Sequence, residues 1–151
     1  MMNYKEYYES VYNYRQAVSK LHKIQNKLSD IINSMLSTTA QMKDNIGSSR
    51  ASSNDKMLSL TAKKIELEAQ EELAKELVEM HNKRKLSDEE ELRKSKDTKD
   101  KVYIMFFIDH STVSEIALVL NYGKSYIYDV LSEIKRTLNE LEKSYKSGKN
   151  Q

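Results

Sequence analysis

The sequence predicts an all-α fold, with a long N-terminal helical hairpin or coiled coil followed by a C-terminal three-helix, helix-turn-helix module. Three observations lead there. The 151 residues contain no proline and only three glycines, and 32% are charged, a composition that leaves long helices nearly unbroken. Apolar residues return every three or four positions along most of the chain, the period of a helix face rather than of a strand. Near the C-terminus, Thr112 to Leu131 gives a helix start, a small residue, a turn residue and a second amphipathic stripe, the layout of a helix-turn-helix.

Taken in order, Asn3 to about Met42 holds two rows of a seven-residue repeat. Tyr4, Val11, Val18, Gln25, Ile32 and Thr39 form one row, and Tyr7, Tyr14, Leu21, Leu28, Met35 and Met42 the other. Such rows make a coiled-coil helix of about 60 Å, with Gln25 as a polar interruption that sets register or partner number. Tyr4, Tyr7 and Tyr14 lie on the seam and are expected to pack there. Tyr8 and Tyr12 lie off it. Tyrosine supplies large contact area with few rotors, so these two are the candidate partner-binding residues.

Gly47 to Asp55 breaks the repeat with small and polar residues, the expected loop, with Asn54 or Asp55 as cap of the next helix. That helix carries Leu58, Ala62, Ile65, Ala69, Leu73, Leu77 and Met80, whose steps drift from a strict heptad. An antiparallel hairpin within one chain and a long intermolecular coiled coil both fit residues 1–82. Residues 83–101 carry eight basic and six acidic side chains, the composition of a solvated connector, and Ser87 with Glu90 forms a capping box where a helix can restart.

Residues 102–145 are expected to fold as the helix-turn-helix domain, and 146–151 as a frayed tail. Val102 to Ile108 supplies a core helix. Thr112 with Glu115 is a capping box, so the next helix starts at Val113 and presents Ile116, Leu118, Val119 and Leu120 as its apolar side. Ala117 allows close approach of the following helix, Asn121 tolerates positive φ at the turn, and Gly123 is placed to cap the second helix. Ile127, Val130, Leu131, Ile134, Leu138 and Leu141 then form the buried stripe of that helix. Ala117, Asn121 and Ile127 are thus the structural positions. Lys124, Ser125, Tyr126, Tyr128 and Asp129 remain on the outer face to meet base edges or phosphates in a major groove, with Lys135 and Arg136 near phosphates.

Other chemistries find little support. The absence of cysteine removes disulfides, thiolate catalysis and cysteine-bound zinc, and fits a reducing cytoplasm. His22, His81 and His110 show no ligand spacing, and Asp88 to Glu91 lacks the spaced oxygens and central glycine of a calcium loop. No glycine-rich phosphate loop or activated nucleophile is present. An enzyme is not expected, nor a metal or other cofactor. The longest apolar run, Val102 to Ile108, is too short to span a bilayer, and the polar, tyrosine-rich N-terminus does not resemble a signal peptide. The expected location is the cytoplasm of a bacterial host cell, with no membrane partner.

On the residues Val102 to Leu141, the chain resembles region four of bacterial sigma factors. The Ser48–Ser53 segment, Asp55-Lys56-Met57 and the helix-turn-helix of Thr112 to Leu131 extend that resemblance to small sigma-like regulators encoded by phages and prophages of Gram-positive bacteria. The resemblance implies a transcriptional regulator that docks on double-stranded DNA, with RNA polymerase as a further partner and the coiled coil serving dimerisation or polymerase contact. The chain departs from that pattern in two ways. Tyr128 and Asp129 stand where many relatives carry Arg or Lys, and residues 101–146 hold as many acidic as basic side chains. A net charge of only +2 for the whole chain likewise predicts little non-specific affinity from counterion release. A homodimer is the expected DNA-bound state. The alternative is a protein-binding adaptor or inhibitor acting through the N-terminal tyrosines, and a DNA-packaging subunit is a third reading.

Overall fold

The computed structural model describes residues 1–44 and 50–149, and the side chains of 1–41 and 54–148. All regular structure among these residues is helical: α1 (Tyr4–Asp44), α2 (Arg50–Arg93), α3 (Thr98–Tyr103) continuing into a π-helical turn (Ile104–Ile108), α4 (Val113–Leu120) and α5 (Lys124–Lys149). The chain divides into two compact units, Met1–Tyr14 with Asn82–Gln151, and Arg15–His81. The first and last turns of the hairpin therefore belong with the helix-turn-helix.

Several expected boundaries move. Helix α2 begins at Arg50, so Asn54 and Asp55 lie inside it and cap nothing; Gly47 to Ser49 lie outside the described residues. The six residues from Arg50 to Asp55 contain neither Gly nor Pro, and small polar residues start a helix as readily as they end one. Helix α2 then runs unbroken to Arg93, with Ser87 in mid-helix. The expected solvated connector is in fact interior at three points: Leu92 has no exposed surface, and Ser95 and Asp100 are buried. At the other end, α5 continues to Lys149 rather than fraying after Tyr145. The Tyr145 ring lies 4.9 Å from that of Tyr12 and ties down those last turns.

In the unit of residues 15–81, α1 and α2 pair as an antiparallel hairpin, with Ile24, Leu28 and Ala74 at the centre of their contact and Leu21 and Leu67 beside them. The seam of α1 is Leu21, Ile24, Leu28, Ile31, Met35 and Thr38, all buried or half-buried. The Leu21–Leu28–Met35 row is as the repeat suggests. The companion row lies one residue earlier than expected, so Gln25 and Thr39 are exposed and Ile32 is 43% exposed. Thr38 is buried with its hydroxyl donating to the Ser34 carbonyl at 2.9 Å, which satisfies the one polar group on that side of the seam.

For α2 the correction is larger. Its buried or half-buried line is Met57, Leu60, Lys64, Leu67, Glu71, Ala74 and Val78, a strict heptad with two charged members. The stripe from Leu58 to Met80 that the sequence shows most plainly faces outward, with Leu58, Ile65 and Leu73 each more than 60% exposed. A helix with two apolar stripes has no single amphipathic direction, and the stripe free of charge is not the one used.

The other unit has a dense core. Leu92, Val102, Ile116, Ile127 and Ile134 have at most trace exposure, and Tyr4, Tyr7 and Tyr8 of α1 complete the same cluster. Tyr103 anchors the aromatics: it stacks on Tyr4 at 5.6 Å and on Phe107 at 5.1 Å, and meets the Tyr7 edge at 5.9 Å. Burial pushes the Tyr7 hydroxyl up to about 12, with the Glu89 carboxylate adding to the effect.

Candidate nucleic-acid interface

The site is positioned by the bend between α4 and α5. The Thr112 side chain accepts from the Glu115 N–H at 3.2 Å and caps α4, supplying a partner for one of the helix's unpaired donors. At the other end Asn121 takes φ 61°, ψ 46°. Its N–H and that of Tyr122, the latter at 3.0 Å, both donate to the Ala117 carbonyl, a left-handed helix stop that Asn tolerates better than most residues. Gly123 directly precedes α5, and its carbonyl accepts from the Ile127 N–H at 3.3 Å. Ala117 is buried, and Ile127 is wholly so.

Helix α5 buries Ile127, Val130, Leu131, Ile134 and Leu138, all at most 8% exposed. Opposite that stripe stand the expected DNA-facing residues. Lys124, Ser125, Tyr126, Tyr128 and Asp129 are all exposed, as are Lys135 and Arg136 two turns on. By helical spacing Ser125, Asp129 and Arg136 run down the middle of this face, while Lys124, Tyr128 and Lys135 follow one edge. The Lys135 ammonium lies 5.3 Å from the centre of the Phe106 ring, which holds its stem against the protein. The face offers ammonium and guanidinium groups for phosphate, three hydroxyls that donate or accept, and one carboxylate acceptor. That is the mixed inventory that reads base edges.

The frame behind this face is tied by three polar links. Lys99 of α3 pairs with Glu133 of α5 at 2.7 Å, and this partner keeps the Glu133 carboxyl below its ordinary range. Arg93, at the end of α2, donates to Asp109 at 2.8 and 3.4 Å and to Glu89 at 3.1 Å; its guanidinium lowers the Asp109 carboxyl. The third link is buried. Asp100 accepts from the Tyr4 N–H at 2.9 Å and from the Ser95 hydroxyl at 2.5 Å. One carboxylate thus satisfies the first N–H of α1, where the helix dipole favours a negative charge, and closes the α2–α3 corner.

Two expectations about this unit need correction. Tyr8 and Tyr12 are not partner-binding surface: they are 6% and 5% exposed, the Tyr8 hydroxyl donates to Glu142 of α5, and Tyr12 packs on Tyr145. With Tyr4 they form an i, i+4, i+8 row, a straight helix face that a heptad description splits between seam and solvent. Leu118 and Val119 do not join the apolar side of α4; they are 83% and 68% exposed. At 100° per residue the run from Ile116 to Leu120 cannot share one face: Ile116 and Ala117 are buried, Leu120 is half-buried, and Leu118 and Val119 turn outward. Tyr122 is a further surface residue of this bend that no motif singles out. It is 44% exposed, and its ring lies 4.6 Å from that of Tyr126, so Tyr126 is held on the surface by an aromatic neighbour.

No group of three or more acidic, histidine or cysteine side chains able to hold a metal occurs among the described residues. No described helix is long and apolar enough to cross a membrane. No family model, curated protein or solved structure is matched by this chain.

Proposed function

We propose that the unit of Met1–Tyr14 with Asn82–Gln151 is a sequence-specific, double-stranded-DNA-binding module of a phage-type transcriptional regulator acting in the bacterial cytoplasm. Helix α5 would enter the major groove. The observation that carries the reading is the exposure of the whole polar face from Lys124 to Asp129 directly after a left-handed stop at Asn121. Lys124 sits where the helix end meets a phosphate, Ser125, Tyr128 and Asp129 reach base edges, and Lys135 and Arg136 follow the backbone. The acidic and basic side chains of residues 101–146 balance, so affinity depends on base contacts, on pairing of two copies and on contact with polymerase more than on counterion release.

Selection from random duplex oligonucleotides at low and moderate salt tests this. Enrichment of one motif is expected, with a shallow salt dependence for a DNA-binding protein. The Lys124→Ala/Tyr128→Ala double variant should lose that motif at least tenfold while keeping its helicity by circular dichroism. An unenriched pool from the unmodified protein overturns the reading.

A second reading has one observation of its own. Leu118, Val119, Tyr122 and Tyr126 place exposed apolar and aromatic side chains on consecutive turns around the same bend, a composition suited to a protein partner. It gains if selection fails while Leu118→Ser/Val119→Ser abolishes a stable complex with RNA polymerase. The adaptor reading built on Tyr8 and Tyr12 loses its basis, because both are interior.

A further inference from the structure

The outward stripe of α2 is a second seam without a partner in the hairpin. It begins with Leu58 and Ala62, passes Ile65 and Ala69, and ends with Leu73, Leu77 and Met80, all exposed and all within the unit of residues 15–81. Its steps average close to the period of a straight helix, so it stays on one side of α2 for about 33 Å. Leu58, Ile65, Leu73, Leu77 and Met80 are 69%, 64%, 63%, 40% and 54% exposed. Together they leave on the order of 500 Å² of apolar surface open, the size at which a patch on a monomer is commonly functional.

We propose that this stripe is the interface between two copies of the chain, with α2 of each lying antiparallel across a two-fold axis at Ala69. The order of residue sizes is self-complementary about that point. Ile65 of one copy faces Leu73 of the other, Leu58 faces Met80, Ala62 faces Glu76 with Leu77 beside it, and Ala69 meets itself where the helices come closest. A two-fold contact requires this kind of reciprocal match along one surface, and a small residue at the centre allows close approach of the axes. Two copies would bury on the order of 1,000 Å² from the large side chains alone, where specific interfaces begin.

The rim of this contact is acidic: the same two-fold brings Glu66 of one copy opposite Glu72 of the other, so the dimer should tighten as salt screens the carboxylates. The inference stands apart from the DNA reading, since no residue of α5 enters it.

The absence of cysteine makes the test direct. Ala69→Cys places two thiols at the axis, so mild oxidation of the full chain should give a disulfide dimer at least ten times faster than Ser19→Cys, a control on the exposed side of α1. Sedimentation equilibrium should show a dimer at micromolar concentration, and Ile65→Glu/Leu73→Glu should shift it to monomer without loss of helicity. Three results would overturn the proposal: a monomeric unmodified protein at about 100 µM, a dimer indifferent to the double charge substitution, or equal cross-linking at positions 69 and 19. DNA selection is read separately, so either conclusion can fail without the other.

Discussion

In the helix-turn-helix unit, apolar burial converges from pieces of every helix. Tyr4 and Tyr7 of α1, Leu92 of α2, Val102 and Tyr103 of α3, Ile116 of α4 and Ile127 and Ile134 of α5 enclose one another, and the polar groups within have partners. In the unit of residues 15–81 two helices share a single seam, in which Ile24, Leu28, Leu60 and Ala74 are the buried apolar residues and Lys64 and Glu71 occupy seam positions. The contrast teaches that helix content and local order say little about where stabilisation resides. A two-helix seam buries one stripe per helix and leaves the reverse side open, whereas convergent packing removes whole side chains from water. The first unit encloses its own core. The second leaves the stripe of Leu58, Ile65, Leu73, Leu77 and Met80 exposed.

The largest expected effect tests that difference. Leu92→Ala removes a side chain with no exposed surface and should cost about 3 kcal/mol, whereas Ile24→Ala in the two-helix seam, which can close around the gap, should cost about 1–2 kcal/mol. A natural reporter separates the two: all ten tyrosines lie within residues 4–14 and 103–145, and there is no tryptophan. Tyrosine fluorescence therefore follows only the helix-turn-helix unit, while far-ultraviolet circular dichroism follows both. In urea, Leu92→Ala should lower the fluorescence midpoint, and Ile24→Ala should move part of the dichroism signal ahead of it. If both probes stay superimposed in both variants, the two units unfold as one and the contrast fails.

What could be read in the sequence follows the same division. The helix-turn-helix was legible residue by residue, because Thr112, Ala117, Asn121 and Ile127 each answer to a local steric or hydrogen-bonding demand. The all-helical class followed from composition. What escaped was long-range. Asp100 looks like one more charge in a mixed run, and nothing local reveals that it binds a backbone donor 96 positions away. Tyr8, Tyr12 and the two stripes of α2 depart from expectation for one physical reason. Periodicity shows that a face is apolar, and cannot say which neighbour covers it.

A smaller effect sharpens the account of Asp100. Asp100→Ala leaves the Tyr4 N–H and the Ser95 hydroxyl without their acceptor in a buried corner, which should cost about 2 kcal/mol. Ser95→Ala alone removes one donor and should cost less. In a double-mutant cycle the two should couple, and additive losses would show that Asp100 acts through α1 alone. The loss should appear in tyrosine fluorescence and leave the dichroism of residues 15–81 in place.

The smallest expected effect concerns pH. Arg93 lowers the Asp109 carboxyl below its ordinary range, so the folded protein releases that proton more readily than the unfolded chain. The resulting stability is fully present above the ordinary carboxylate range near pH 4 and is lost as pH falls through the lower value held in the fold. Arg93 is 45% and Asp109 42% exposed, so solvent screens the pair and its contribution should stay below about 1 kcal/mol. Asp109→Asn should therefore lower the midpoint slightly at pH 7, with a difference that shrinks as pH falls below the ordinary carboxylate range. The shift should shrink in 1 M salt, where the Debye length is only about 3 Å. An acid slope unaltered by the substitution would place that sensitivity elsewhere in the unit, with the Lys99–Glu133 pair, whose carboxyl is lowered in the same direction, as the next to remove.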